Sequence, residues 1–202
     1  MLFNSLVFAI FLPTVFAIYW LLRGNRKAQN LVIVAASCVF YGWWDVRFLF
    51  LLLFSTALDY YTGLRIEASQ QQHARRTWLW ISVGINLGFL GVFKYYNFFI
   101  TGFSDLLGTI GIQAHPPLLD VMLPVGISFY TFHGLSYVID IYNRRIKAER
   151  SFVDYSVFVS FFALLVAGPI ERATHLLPQV LKPRVFDAAS ATDGLRQMLW
   201  GF

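Results

Sequence analysis

The sequence has few charged residues. Of its 202 residues only 13% are Asp, Glu, Lys or Arg, whereas 57% are hydrophobic and 18% are aromatic. A soluble domain carries roughly 25% charged residues, because its surface must be hydrated. This chain lacks the charge to cover a water-soluble globule of its size. Its long uncharged runs predict a polytopic, all-α bundle of transmembrane helices that forms a single domain over residues 1–202.

Several common chemistries are missing as well. The single cysteine, Cys38, lies in an apolar run, which excludes an intrachain disulfide and a thiolate metal site. The sequence has no phosphate-binding glycine loop, no HExxH zinc motif, no paired CxxC and no GxSxG nucleophile elbow. We therefore predict no metal site and no bound cofactor. The net charge of +5 does not point to nucleic acid, because the basic residues lie in short loops between apolar runs.

Uncharged runs divide the chain into candidate membrane spans. The predicted spans cover residues 2–22, 28–44, 48–64, 77–93, 121–139 and 155–170, and a further helix starts at 192–202. Pro13 is expected to kink the first helix without ending it. Residues 98–119 are interrupted by glycine and proline, so we expect them to lie along the interface or to re-enter the membrane. The last run has no C-terminal cap, so we expect the chain to be a fragment of a longer protein.

The distribution of Lys and Arg predicts the orientation of the spans. The loops after the first, third and fifth runs each carry three or four basic residues, whereas the loops between them carry one. The rich loops are therefore expected in the cytoplasm, with an uncleaved first helix and the N-terminus outside. Arg172, Lys182 and Arg184 break this alternation, since they follow the sixth run. We expect the sixth run to bend back or to continue as a half-helix.

The fifth run carries the densest set of polar residues in any predicted span. At helical spacing one face presents Phe129, His133, Ser136, Asp140 and Arg144. Lipid would leave these polar groups unpaired, so the face is expected to line a tunnel within the bundle. The alternative is a packed helix whose polar groups bond to neighbouring helices. Asp140 and Arg144, four residues apart, are expected to pair at the membrane edge. The candidates for tunnel lining in this run are Ser128, Tyr130, His133, Ser136 and Asp140.

Small residues indicate where helices pack closely. Gly126 and Gly134 lie on a neighbouring face of the fifth run, and Gly84 and Gly88 form a small-xxx-small pair in the fourth. Such residues let two helix backbones approach each other in a membrane. We therefore expect close helix contacts at both places.

A second polar cluster follows the sixth run. Pro169 suits the first turn of a helix and Pro178 is expected to end it. Glu171 and His175 then fall four residues apart on one face, so the carboxylate is expected to orient the imidazole. The alternative is a solvated half-helix at the membrane interface. The candidates in this cluster are Gly168, Pro169, Glu171, Arg172 and His175.

Several motifs occur in an order that resembles a known family. They are FYGWW at 40–44, FKYYNF at 93–98, LPVGISFYTF at 123–132, LSYVIDIY at 135–142, AGPI at 167–170 followed by Arg172, and LPQ at 177–179. Together they resemble the bacterial alginate O-acetyltransferase branch of the membrane-bound O-acyltransferase family, along nearly the whole chain.

The resemblance implies a multi-pass protein of the bacterial inner membrane with funnels on both faces that meet near the midplane. It implies transfer of an acyl group from a cytoplasmic donor, acetyl-CoA or an acyl carrier, to a hydroxyl of an extracytoplasmic polysaccharide such as alginate. Periplasmic acetylation proteins are the implied partners, besides the polysaccharide and the lipid bilayer.

The essential histidine of that family is expected beyond Phe202, so no residue of this chain is predicted to be catalytic. Neither His133 nor His175 lies in the family's histidine motif. The branch often carries Gln at the position of His133, which favours a hydrogen-bonding role for this side chain. Two alternatives to the transferase remain: a transporter or exporter component, and a catalytically inert membrane fragment.

Overall fold

The computed structural model describes residues 1, 3–109, 124–166 and 168–201. These residues form helices and no strands, which confirms the all-α class. The helices are α1 (Leu6–Leu21), α2 (Arg26–Gly42), α3 (Val46–Ala68), α4 (Gln72–Leu90), a π-helical turn (Gly91–Tyr95), α5 (Tyr96–Thr109), α6 (Ile127–Tyr142), α7 (Phe152–Ser160), α8 (Phe162–Leu165), α9 (Ala173–Leu181) and α10 (Ala188–Gly201).

Polar residues fix where four of these helices begin. The side chains of Ser5, Asn25, Asp45 and Ser151 each accept a hydrogen bond from a backbone N–H two or three residues later, at 3.2, 3.1, 2.8 and 3.3 Å. A helix leaves its first N–H groups without partners in the helix, and a capping oxygen satisfies one of them. The caps place the starts of α2 and α3 two residues before the predicted spans.

One helix in the described part of the chain is long and apolar enough to cross a bilayer. It covers Gln72–Ser104, 33 residues that join α4, the π-helical turn and α5. The helix continues through residues 98–109, so the expected interruption by glycine was wrong there. The expectation that this segment lies along the interface or re-enters the membrane stays a prediction, and residues 110–119 lie outside the described residues. A glycine inside a helix costs only about 1 kcal/mol relative to alanine, too little to stop so long an apolar helix. The crossing of the membrane by several helices stays a prediction.

The core lies where α3, α4 and α6 pack together, with α7 against them. Its buried side chains include Leu52, Ile66, Tyr130, Tyr137, Val138, Ile141, Tyr155, Phe158 and Leu165. The predicted close approach at α6 is confirmed, because a Cβ added to Gly134 would overlap the carboxylate of Asp59 on α3. The same prediction for Gly84 and Gly88 was wrong. A Cβ on either would meet no described atom within 4 Å, because both face away from the neighbouring helices.

The helix α6 begins later than the predicted fifth span. Gly126 has φ +80°, in the left-handed region, and this conformation ends the preceding loop just before Ile127. A side chain at Gly126 would also collide with the backbone carbonyl of Leu165. The loop therefore requires glycine for its conformation and for its contact. Residues 121–123 of the predicted span lie outside the described residues.

The predicted sixth span is not one helix. α7 has nine residues and α8 has four, and Phe161 between them has ψ 115°, outside the helical region. At 1.5 Å per residue α7 is about 14 Å long, less than half of a hydrocarbon core of about 30 Å. Residues 168–172 are not helical either.

The chain returns after α8, and α9 runs back along α7. The amide of Asn30 in α2 donates to Asp154 Oδ1 at 2.6 Å and to the Val180 carbonyl at 3.3 Å, and its oxygen accepts from Arg184 at 2.6 Å. Asp154 lies in the first turn of α7, whereas Val180 is near the end of α9 and Arg184 follows that end by three residues. Both ends of this hairpin therefore meet the same residue at the start of α2. The return confirms the expectation that the sixth run bends back, and it places Arg184 beside the first basic loop.

Candidate functional site

The polar face of α6 is turned into the protein. Among its predicted tunnel residues, Tyr130, His133 and Asp140 are buried, and Ser128 and Ser136 are half-buried. Phe132 and Ile139, which precede His133 and Asp140 by one residue each, are exposed, so the polar face lies at the edge of the buried side of α6. Both interpretations of this face, as tunnel lining and as a packed helix, require its polar residues to point into the bundle.

The predicted pair of Asp140 and Arg144 was wrong. α6 ends at Tyr142, and Arg144 has φ 59° in the loop that follows, so its side chain leaves the helical face. Asp140 pairs instead with Arg145, at 3.3 Å between Oδ1 and Nη1. The helix ends just before the position at which a regular i, i+4 pair would form.

The structure brings the two predicted clusters together at His133. Nε2 of this fully buried imidazole accepts a hydrogen bond from the backbone N–H of Glu171, at 3.2 Å. An accepting Nε2 carries no proton, so the neutral imidazole has its proton on Nδ1. The Phe158 ring lies 5.5 Å from the imidazole, centroid to centroid. His133 therefore anchors the non-helical segment 168–172 onto α6 through a hydrogen bond, the role that the family resemblance favoured.

Glu171 and His175 form the predicted contact. Oε2 of Glu171 lies 2.7 Å from Nδ1 of His175, and the imidazole is 68% exposed. The carboxylate of a residue whose backbone binds the buried His133 thus orients an exposed histidine. Through the backbone and the carboxylate of Glu171, these three residues connect the interior to the surface, and we call them the histidine line (His133, Glu171 and His175).

The helical boundaries predicted for this segment were wrong. Pro169 and Glu171 precede the helix, because Arg172 is extended and α9 begins at Ala173. Pro178 does not end α9, which continues to Leu181. Proline removes one backbone hydrogen bond, and the burial of Leu177 and Val180 on either side of it stabilises this helix.

The remaining predicted residues of this segment differ in their environment. A Cβ on Gly168 would stand 2.8 Å from Leu164 in α8, so this glycine lies at a close backbone contact. Pro169 and Arg172 are exposed. The structure therefore places one of these three residues in the packing of the hairpin and two at the surface.

A buried carboxylate that was not among the predicted site residues lies next to α6. Asp59 on α3 is 1% exposed, and its Oδ1 accepts from Ser82 Oγ at 2.6 Å and from Asn86 Nδ2 at 2.8 Å on α4. Ser55 donates to the Asn86 amide oxygen at 2.5 Å. Oδ2 of Asp59 faces Gly134 and has no hydrogen-bond partner in the described part of the chain. Ser55 and Asp59, and Ser82 and Asn86, are each four apart, a signal readable in the sequence.

A lysine inside the long apolar helix is the second residue that was not predicted. Lys94 lies in the π-helical turn, and its Nζ donates to Ser128 Oγ at the start of α6, at 3.3 Å. π-Helical turns occur frequently at functional sites. An ammonium group in a candidate membrane helix is the sequence signal that points to this residue.

The arrangement supplies polar groups for binding and proton transfer. A carboxylate and an exposed imidazole lie at one end of it, hydroxyl and amide groups lie inside the bundle, and the ammonium group of Lys94 is exposed. Nowhere in residues 1, 3–109, 124–166 and 168–201 do three His, Cys, Asp or Glu residues come together as metal ligands.

Known proteins similar to this chain are O-acetyltransferases. The chain is 37% identical over 204 residues to the probable alginate O-acetylase AlgI of Pseudomonas aeruginosa and 37% identical over 205 residues to that of Azotobacter vinelandii. Both alignments cover 100% of this chain. It is 33% identical over 207 residues to the peptidoglycan O-acetyltransferase of Helicobacter pylori, an alignment that covers 89% of this chain. No family model and no solved structure matches the chain.

The alignments confirm the resemblance that the motifs predicted. The chain is a relative of the bacterial alginate and peptidoglycan O-acetyltransferases. It spans 38%, 40% and 38% of the lengths of these three proteins and corresponds to their N-terminal part.

Proposed function

We propose that this chain is the N-terminal part of a membrane-embedded O-acyltransferase. The intact protein transfers an acetyl group from a cytoplasmic donor, acetyl-CoA or an acyl carrier, to a hydroxyl of an extracytoplasmic polysaccharide such as alginate. It lies in the bacterial inner membrane with its N-terminus outside. The observation that carries this proposal is the similarity to named O-acetyltransferases along the whole chain.

The surface of the bundle supports a membrane location. Only 17% of the most apolar stretch of the 33-residue helix is buried, so a long apolar helix faces outward. Phe98 and Phe99 on this helix are 71% and 66% exposed, and Phe50 on α3 is 69% exposed. Exposed apolar surface of this extent promotes aggregation in water, whereas contact with lipid makes it favourable. Polar side chains such as Asn30, Asp59 and Asn86 are fully buried between the helices.

The histidine line supports a role of this part in binding. The hairpin of α7 and α9 turns back through the non-helical residues 168–172, which are partly exposed and are held to α6 by the hydrogen bond to His133. Glu171 and His175 stand at the turn. In the proposed reaction the acceptor hydroxyl attacks the carbonyl of the donor thioester, a histidine outside this chain takes the hydroxyl proton, and the thioester bond breaks to release the donor thiol. The histidine line binds and orients a substrate beside that centre.

The test is the acetyl content of extracellular polysaccharide in the source bacterium. Deletion of the gene is expected to abolish acetylation, and the intact gene is expected to restore it. Within this chain Glu171→Gln and His175→Ala are expected to lower acetylation while membrane protein levels stay unchanged. His73→Ala, which removes an exposed histidine of α4 far from this line in sequence, is the matched control. Unchanged acetylation after deletion of the gene would refute the proposed enzyme activity. Unchanged acetylation in both variants would show that the histidine line has only a structural role.

A transporter or exporter component is the second candidate, because broken helices and hairpins also form substrate sites in transporters. The two functions differ in their products. A transferase leaves the polysaccharide exported but without acetyl groups when its gene is deleted, whereas loss of an exporter removes the extracellular polysaccharide itself.

A further inference from the structure

A cavity of about 510 Å³ lies at the end of the bundle where α3 and α6 finish and α4 begins. Four basic residues line it, Arg75, Arg144, Arg145 and Lys147, and the one acidic residue in its wall is Glu67. The proposed transferase chemistry assigns no role to this cavity, which we call the basic pocket.

The positive charge of the basic pocket is not neutralised by its own wall. Glu67 pairs with Arg150, at 2.8 Å between Oε2 and Nη2, and Arg145 pairs with Asp140. Arg144 and Lys147 form no ion pair with any residue that the structure describes. Two carboxylates are thus engaged, and the pocket retains an excess of positive charge.

Arg75 is held rigidly at the inner wall. Its guanidinium is buried and donates only to backbone carbonyls, to Ile66 at 2.8 Å, Tyr142 at 2.8 Å and Ile141 at 3.2 Å. These carbonyls end α3 and α6, where the helix dipole favours a cation. No carboxylate pairs with this guanidinium in the described residues, so the partial negative charges of the two helix ends balance it and its role is to hold the inner wall in place.

Arg144 occupies a backbone position that suits glycine. Arg144 N–H donates to the Ile141 carbonyl at 3.0 Å, and Arg145 N–H donates to the Asp140 carbonyl at 2.9 Å, the hydrogen-bond pattern of a Schellman motif. The left-handed residue of this motif is usually glycine, because a Cβ is unfavourable there. An arginine at this position adds strain to the helix end, and its side chain lines the pocket.

We propose that the basic pocket binds a phosphate group. Guanidinium and ammonium groups give charge-assisted hydrogen bonds to phosphate oxygens, and arginine offers them in a forked geometry. The phosphate belongs either to the headgroup of an anionic lipid or to a soluble phosphate compound, and both present the same oxygens to Arg144 and Lys147. This site is independent of acetyl transfer, so it stands or fails separately from the proposed function.

The test measures binding by the intact protein, not its activity. Protein purified in detergent is titrated with sodium pyrophosphate, with sodium chloride at equal ionic strength as the reference, and the unfolding temperature is followed. The same protein is placed in nanodiscs of phosphatidylcholine with and without phosphatidylglycerol. Arg144→Gln and Lys147→Gln are each expected to weaken binding about tenfold, the effect of losing one charge-assisted hydrogen bond.

Two further variants separate binding from folding. Arg76→Gln removes the same charge next to Arg75 but outside the pocket, and it is expected to bind as the unmodified protein does. Arg144→Gly relieves the backbone strain, so it is expected to unfold at the same or a higher temperature while losing the ligand.

The outcomes identify the source of the phosphate. Stabilisation by pyrophosphate indicates a soluble compound, and stabilisation by phosphatidylglycerol alone indicates a lipid headgroup. The proposal is overturned if neither probe stabilises the protein, if Arg76→Gln weakens binding as much as Arg144→Gln, or if Arg144→Gly retains full binding.

Discussion

Replacing Gly134 by alanine tests the packing of α6 against α3. The added Cβ would overlap the carboxylate of Asp59, which accepts hydrogen bonds from Ser82 and Asn86. Either α6 moves away from α3, at an overpacking cost of about 1–3 kcal/mol, or the carboxylate moves and both hydrogen bonds are lost, at about 1 kcal/mol each. By either route we expect the free energy of unfolding in detergent to fall by about 1–3 kcal/mol.

Gly88→Ala in α4 is the matched control. Its Cβ would meet no described atom within 4 Å, so the substitution is expected to leave stability unchanged or raise it by up to about 1 kcal/mol. Repeating Gly134→Ala in two variants of Asp59 tests whether the Asp59 side chain is the group that the added Cβ overlaps. Asp59→Asn keeps the volume, so Gly134→Ala retains its full cost there. Asp59→Ala removes the volume, and the same substitution is then expected to cost less than about 1 kcal/mol. An equal cost in both backgrounds would refute the reasoning.

Three further substitutions test other contacts. Arg75→Gln is expected to lower the free energy of unfolding by about 3 kcal/mol, since charge-assisted hydrogen bonds to two helix ends are lost. Arg76→Gln, at an exposed position, is the control and is expected to change this free energy by less than about 0.5 kcal/mol. Equal effects of the two substitutions would contradict the prediction. His133→Gln is expected to preserve acetylation in cells, because an amide oxygen also accepts the backbone N–H, whereas His133→Leu lowers it; equal acetylation would contradict the hydrogen-bonding role. Asp154→Asn is expected to lower the thermal unfolding temperature of the protein, because the buried carboxylate holds Arg26 at 3.0 Å; an unchanged temperature would show that this ion pair contributes nothing.

The family and the helical class could be predicted from the sequence, because both depend on local patterns. Long uncharged runs favour helices wherever they occur, and ordered motifs such as those at 93–98 and 123–132 identify relatives without any knowledge of contacts. The contact of Glu171 with His175 was predicted correctly, although Glu171 lies just before α9 and its carboxylate reaches the imidazole across the start of the helix. The turn back after α8 was suggested by Arg184, whose charge did not fit the alternation of the loops.

The sequence by itself determined that this protein is helical, apolar on its outside and related to O-acetyltransferases, since composition and residue order suffice for these properties. Only the tertiary structure decided that Asp59 meets Gly134 and that His133 binds the backbone of Glu171. These partners lie 75 and 38 positions apart along the chain. No periodicity within one helix specifies which face of another helix it will meet. Contacts between distant segments depend on how all the helices pack together, and that is a property of the folded bundle.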